Sequence, residues 1–93
     1  MIIIAPRARQ DIDEAYEYIA RDSLDAADRW LERIDQAVQL LAAGKLKGPP
    51  VRLLGGGQAQ RWSIPPFRLY YRQTRDQLVV LRIYHQARRP IEQ

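Results

Sequence analysis

The sequence contains no cysteine and a single histidine, His85. The first absence excludes disulfide staples, thiolate metal sites and a cysteine nucleophile. The second excludes a metal site built from several histidines. Serine occurs only at Ser23 and Ser63, and neither sits in a nucleophile elbow, so serine-based hydrolysis finds little support. Long hydrophobic runs are missing too. The longest are a few residues, too short for a membrane span or a signal-peptide core, so the expected compartment is the cytoplasm.

What remains is a chain of 93 residues and 10.9 kDa, room for one domain over residues 1–93 with a modest core. Its 46% hydrophobic and 28% charged content is ordinary for a globular protein. The charge is unevenly spread. Residues 1–44 carry nine acids and five bases, whereas residues 45–93 carry two acids and ten bases. Thirteen of the fifteen bases are arginine. Arginine binds carboxylate and phosphate with a planar, bidentate fork. The second half is therefore expected to attract an anionic partner, a nucleic acid or an acidic protein segment. The plainer alternative is a sheet face whose arginines pair with helix acids.

The apolar pattern divides the chain into five strands and two helices. Ile2–Ile4 opens as a β-branched strand, and Pro6 suits the first turn of a helix. Ala8, Ile12, Ala15, Tyr16 and Ile19 form one helical stripe; Ala27, Trp30, Leu31, Ile34, Ala37, Val38 and Leu41 form another. Ser23 or Asp22 caps the second helix and Gly44 stops it. The short break between them implies an antiparallel helical hairpin. Val51–Leu54 and Gln60–Ile64 are short strands around Gly55–Gly57, and Phe67–Gln73 and Leu78–His85 form a hairpin across residues 74–77. Alternation puts Arg68, Tyr70 and Arg72 on one face of the third strand of this set. It puts Val80, Arg82 and Tyr84 on one face of the last, opposite Val79, Leu81, Ile83 and His85.

Few groups suggest chemistry. The glycine triplet lacks the residues of a phosphate-binding loop and reads as a hairpin loop. Acids such as Asp13 and Glu17 lie four apart on an exposed helix face and read as solvating charges. His85 precedes Ala87-Arg88-Arg89, which suits general acid–base work on a phosphodiester or a histidine ordering the end of the sheet. Trp62, Tyr70, Tyr71 and Tyr84 interleave with Arg61, Arg68, Arg72 and Arg82, as in a stacking platform for single strands or in ordinary cross-strand packing.

Three segments resemble the ParE/RelE toxin superfamily of bacterial type II toxin–antitoxin systems. They are Ala8-Arg9-Gln10-Asp11-Ile12 through Tyr16-Glu17-Tyr18-Ile19, Phe67-Arg68-Leu69-Tyr70-Tyr71-Arg72, and Val80-Leu81-Arg82-Ile83-Tyr84-His85-Gln86-Ala87-Arg88. The last is the most specific, and the resemblance covers nearly the whole chain. It implies an α+β fold, with an N-terminal strand and an antiparallel helical hairpin packed on a twisted, mainly antiparallel sheet.

Two activities exist within that superfamily. The ribonuclease branch cuts mRNA on the ribosome, and its matching positions here are Arg68, His85 and Arg88. Against it, no lysine or glutamate base precedes Arg68 on its neighbouring strand, and no tyrosine follows Arg88. The ending is closer to the ParE branch, which poisons DNA gyrase, traps cleaved DNA and blocks replication without hydrolysing anything. The resemblance implies a ParD-like antitoxin with an acidic C-terminal segment, a toxin–antitoxin hetero-oligomer, and no cofactor, metal or membrane. Partner-binding candidates are Arg61, Arg68, Arg72, Arg82, Arg88, Arg89 and Trp30. A ribosome-dependent ribonuclease and a non-enzymatic nucleic-acid-binding module are the alternatives.

Overall fold

The computed structural model describes residues 1–88 together with Ile91 and Glu92. Along the chain lie β1 (Ile2–Ile4), α1 (Pro6–Ala20), α2 (Leu24–Ala42), β2 (Pro50–Arg52), β3 (Gln58–Ile64), β4 (Phe67–Gln73) and β5 (Leu78–His85). Pro6 starts α1, where its missing N–H costs nothing. The Oγ of Ser23 accepts the Ala26 N–H at 3.1 Å and so caps α2, with Asp22 left outside that role. At the far end of α2, Gly44 adopts φ +76°, a left-handed turn that a side chain resists. There the N–H groups of Gly44 and Lys45 close on the carbonyls of Leu41 and Leu40.

The strands form one mixed sheet in the order β1-β5-β4-β3-β2. β1 lies parallel to β5, and the other pairings are antiparallel. The helical hairpin covers one face. Between the layers, α1 contributes Ala8, Ile12 and Ala15, and α2 contributes Trp30, Ile34, Val38 and Leu41. The sheet answers with Phe67, Leu69, Tyr71, Leu78, Val80 and Ile83. Each fully buried Leu or Val in this set stabilises the fold by about 1.5–3 kcal/mol. No helix among the described residues is long and apolar enough to cross a membrane.

Three sequence expectations shift, the smallest being that β3 begins at Gln58 rather than Gln60. β2 ends at Arg52 rather than Leu54, because Leu53 turns into the glycine loop and its N–H meets the Gly57 carbonyl at 3.1 Å. More consequentially, β5 does not alternate regularly. Tyr71 lies opposite Val80 and Tyr70 opposite Arg82, leaving Leu81 without a partner on β4. This bulge advances the pleat by one residue. Leu78, Val80 and Ile83 consequently all reach the core, and Val80 does not share a face with Arg82 and Tyr84 as strict alternation predicts.

The linker after α2 is pinned by Gly48. Its N–H donates to the Tyr71 hydroxyl at 2.8 Å, and a Cβ at this position would collide with the Arg61 carbonyl. Gly48→Ala is expected to destabilise the fold by about 1–3 kcal/mol in urea titrations. Trp30, only 4% exposed, packs on Phe67 with ring centroids 5.2 Å apart, and its indole N–H is buried without an acceptor among the described residues. Trp30→Ala should cost about 3–5 kcal/mol by the same measurement. Trp30→Phe, which removes the unpaired donor, should cost about 1.5 kcal/mol or less.

Candidate functional site

Three places gather charged or polar side chains: the α1–β5 seam, the outer face of the sheet, and a cleft at the end of β5. The seam follows from strand lengths. β1 pairs only with residues 78–80, and Ala5 closes that edge through the Val80 carbonyl. Beyond this point β5 has no further strand on that edge among the described residues, and α1 lies along it. Asp11 Oδ2 accepts the Ile83 N–H at 3.0 Å and Arg82 Nε at 2.8 Å, while Oδ1 accepts Arg82 Nη2 at 3.3 Å. Asp11 therefore covers an orphan donor and neutralises one sheet arginine. The Arg82 guanidinium also lies 5.2 Å from the Tyr84 ring centroid.

On the outer face, the side of the sheet away from the helices, Arg61 pairs with Tyr70 across β3 and β4, and Arg68 stands two residues along β4. All three point donors at one oxygen. Glu92 Oε1 accepts Arg61 Nη1 at 2.8 Å, the Tyr70 hydroxyl at 2.9 Å and Arg68 Nη1 at 3.2 Å. The Glu92 side chain is 10% exposed. Its backbone bridges to Leu53, and the Leu54 N–H donates to the Ile91 carbonyl at 2.8 Å. Burial alone raises the Glu92 pKa, but the bonds from Arg61 and Tyr70 and the charges of Arg61 and Arg68 outweigh it. The carboxyl is held below its ordinary range. Burial and the Glu92 bond, opposed by Arg68, push the Tyr70 hydroxyl up.

The cleft, about 490 Å³, lies between α1 and the end of the sheet. Glu14, Glu17, Tyr18 and Arg21 line one side, with Phe67, His85 and Arg88 on the other. The His85 ring meets Phe67 edge-on with centroids 5.1 Å apart, and Nδ1 accepts the Ala87 N–H at 3.0 Å. His85 lies opposite Phe67 across the ladder, on the helix side, whereas Arg68 lies opposite Tyr84 on the outer face. The sheet thus separates Arg68 from His85, and it does not bring the ribonuclease-type trio Arg68, His85 and Arg88 together.

The remaining candidates are scattered. Arg72 reaches the Gln58 carbonyl at 2.8 Å on the exposed side of the β2–β3 hairpin. Arg88 is exposed at the mouth of the cleft. Trp30 is a core residue, so it offers no surface to a partner in this conformation. Arg89 lies outside the described residues. Among the described residues, no three of His, Cys, Asp and Glu gather as a metal site requires. Sequence reasoning passed over two residues. Asp11 falls within the Ala8–Ile12–Ala15 stripe, a position that already signalled burial. Glu92 is one of two acids among ten bases in its half of the chain, which marked it as a pairing partner.

A model of the ParE toxin of type II toxin–antitoxin systems, parDE, matches residues 2–90. The chain belongs to the ParE toxin family. Nine chains of solved structures match as well. One, from the chromosomal ParDE toxin–antitoxin system of P. aeruginosa, superposes with a TM-score of 0.71 at 21% sequence identity, over 90% of this chain and 92% of that one. No curated protein matches significantly. The ParE-type fold is thus the α+β arrangement expected from the sequence, with two helices on a mixed five-stranded sheet.

Two measurements test the polar anchors of this ParE-type chain. Asp11→Ala leaves the Ile83 N–H and the Arg82 charge unpaired together, and should cost about 3 kcal/mol in chemical denaturation. Glu92 titrates lower in the folded chain than in the unfolded one, where its carboxyl ionises near pH 4.5. Its contribution is therefore full above that value and is lost as pH falls through the folded pKa. Stability-versus-pH curves of the parent and Glu92→Gln should lie apart near pH 7 and converge as pH falls through the lowered pKa of the folded carboxyl.

Proposed function

We propose that this ParE-type toxin inhibits DNA gyrase and blocks replication in the cytoplasm, without breaking bonds itself, and that an acidic antitoxin segment neutralises it. The observation that carries the non-hydrolytic part is the separation of Arg68 from His85 by the sheet. A phosphodiester between them would need both its charge stabiliser and its proton carrier within hydrogen-bond reach on one face. His85 Nδ1 is moreover occupied by the Ala87 N–H. A toxin that works by docking needs only surface, and the arginine-rich half provides it.

Neutralisation draws on the helical hairpin. A second groove, lined by Arg9, Ile12, Asp13, Tyr16, Glu17 and Leu31, runs along its solvent side. Leu24 is 62% exposed and Tyr18 69%. Large apolar side chains left in water beside charged neighbours suit an amphipathic partner that folds as it binds. Arginine–carboxylate contacts would steer that partner, and apolar anchors would supply most of the affinity.

One observation favours a second reading, ribosome-dependent mRNA cleavage: His85 and Arg88 share one cleft. Induction of the chain without antitoxin separates the two. The gyrase reading expects DNA synthesis to stop first, with covalent gyrase–DNA complexes, and His85→Ala to stay toxic while folded. Translation failing first, with transcripts cut inside ribosomes and toxicity lost in His85→Ala, would overturn it.

A further inference from the structure

The outer-face cluster is not needed to hold the two layers together, yet it is built like a receptor. Two guanidinium groups and a hydroxyl, from adjacent strands, converge on one carboxylate oxygen. Tyr70 beneath it is fully buried although it is absent from the helix-side core, and Ala59, on the same outer face of β3, is 5% exposed. On this face the backbone of Ile91 and Glu92 is tied to Leu53 and Leu54 through the Leu54 N–H to Ile91 carbonyl bond and the antiparallel Leu53–Glu92 bridge. The occupant is therefore a backbone segment, tied to Leu53 and Leu54, whose glutamate enters a two-arginine socket.

We infer that Arg61, Arg68 and the Tyr70 hydroxyl form a recognition site for a glutamate on an extended peptide, which Ile91–Glu92 fills in cis and an acidic partner segment fills in trans. The inference rests on the antitoxin reading above and deepens it by naming where one carboxylate of that partner lands. Three features favour a peptide over a nucleic acid. The occupant already present is a carboxylate, not a phosphate. The Leu54 N–H is matched to a peptide carbonyl. The contacts at Leu53 and Leu54 are backbone to backbone, an antiparallel bridge and one hydrogen bond, and so read a peptide. Exchange is feasible because two arginines face one glutamate: the socket keeps a net positive charge when filled, and it draws in a second carboxylate. The cis segment then competes with the partner, setting a threshold the partner must exceed.

The test uses the full chain carrying Glu92→Ala, which empties the socket, and a synthetic hexapeptide with the sequence of residues 88–93. A tethered segment competes at an effective concentration on the order of millimolar, so a free peptide must saturate the emptied socket within about 10 mM. The resonances of the Arg61 and Arg68 side chains and of Tyr70 should shift saturably. The parent chain should need at least tenfold more peptide, and a peptide with glutamine for glutamate should bind at least tenfold more weakly. Arg61→Gln/Arg68→Gln in the Glu92→Ala background should abolish the shifts. If Glu92→Ala is not folded by its amide spectrum, Glu92→Gln, which keeps the side chain's size, takes its place. Three results would overturn the site: no shift at these residues in a folded chain, equal binding by parent and variant, or tighter binding of inorganic phosphate or a short oligonucleotide than of the peptide. A chain that ignores the peptide while still halting DNA synthesis and still being neutralised would sink this inference alone.

Discussion

The carboxylate of Asp11 is the one charged group buried among the described residues, and the seating of the helical layer depends on it. α1 leaves the short strand β1 and passes over an edge of β5 that, among the described residues, has no strand to pair with. An open edge with a free N–H invites another chain or water into the seam. Asp11 closes it by accepting the Ile83 N–H and holding Arg82. Because these bonds have direction, they fix how far α1 slides along β5, which the apolar contacts of Ala8, Ile12 and Ala15 do only loosely. Hydrophobic burial supplies most of the stability; the carboxylate supplies register.

The bulge at Leu81 belongs to the same device. It lets Val80 and Ile83 both enter the core, three residues apart on a strand whose natural period is two. Arg82 is then free to bend around the edge to Asp11 and stack by Tyr84. Strict alternation would leave either a core position empty or the arginine turned away from the helix. Local irregularity and buried ion pair thus sit together for one geometric reason.

The arginine excess acquires a different meaning once paired. Arg82 is neutralised from the helical layer, and Arg61 and Arg68 share Glu92. The plainer expectation, sheet arginines pairing with helix acids, holds for Arg82; Arg61 and Arg68 instead meet Glu92, which lies beyond the last strand. Arg72 and Arg88 remain exposed to a partner. The sheet is therefore less a uniform basic surface than a few defined sockets, one of which already holds a carboxylate. Its two faces also divide the polar groups: the outer one holds Glu92 between Arg61 and Arg68, while the helix-side end holds His85 beside Phe67.

Much of this was legible from residue order. Helical periodicity located both helices, and Ser23 and Gly44 marked the ends of α2. Clusters of Ile, Val, Leu and Tyr located the strands, and the long hairpin from Phe67 to His85 followed without adjustment. These features depend on neighbours within about four residues, and that range is what a pattern encodes. The candidate sites were legible only in part. The arginines stood out by composition, but alternation broke at Leu81, so the faces of β5 were misassigned. Trp30 looked available because a helical stripe does not say how much of it a sheet will cover. Glu92 meets Arg61 and Arg68 across 31 and 24 residues, and Asp11 meets Arg82 across 71. Local order determined which elements form; only the folded chain decided which charges meet, because contacts between residues so distant depend on the packing of every element between them.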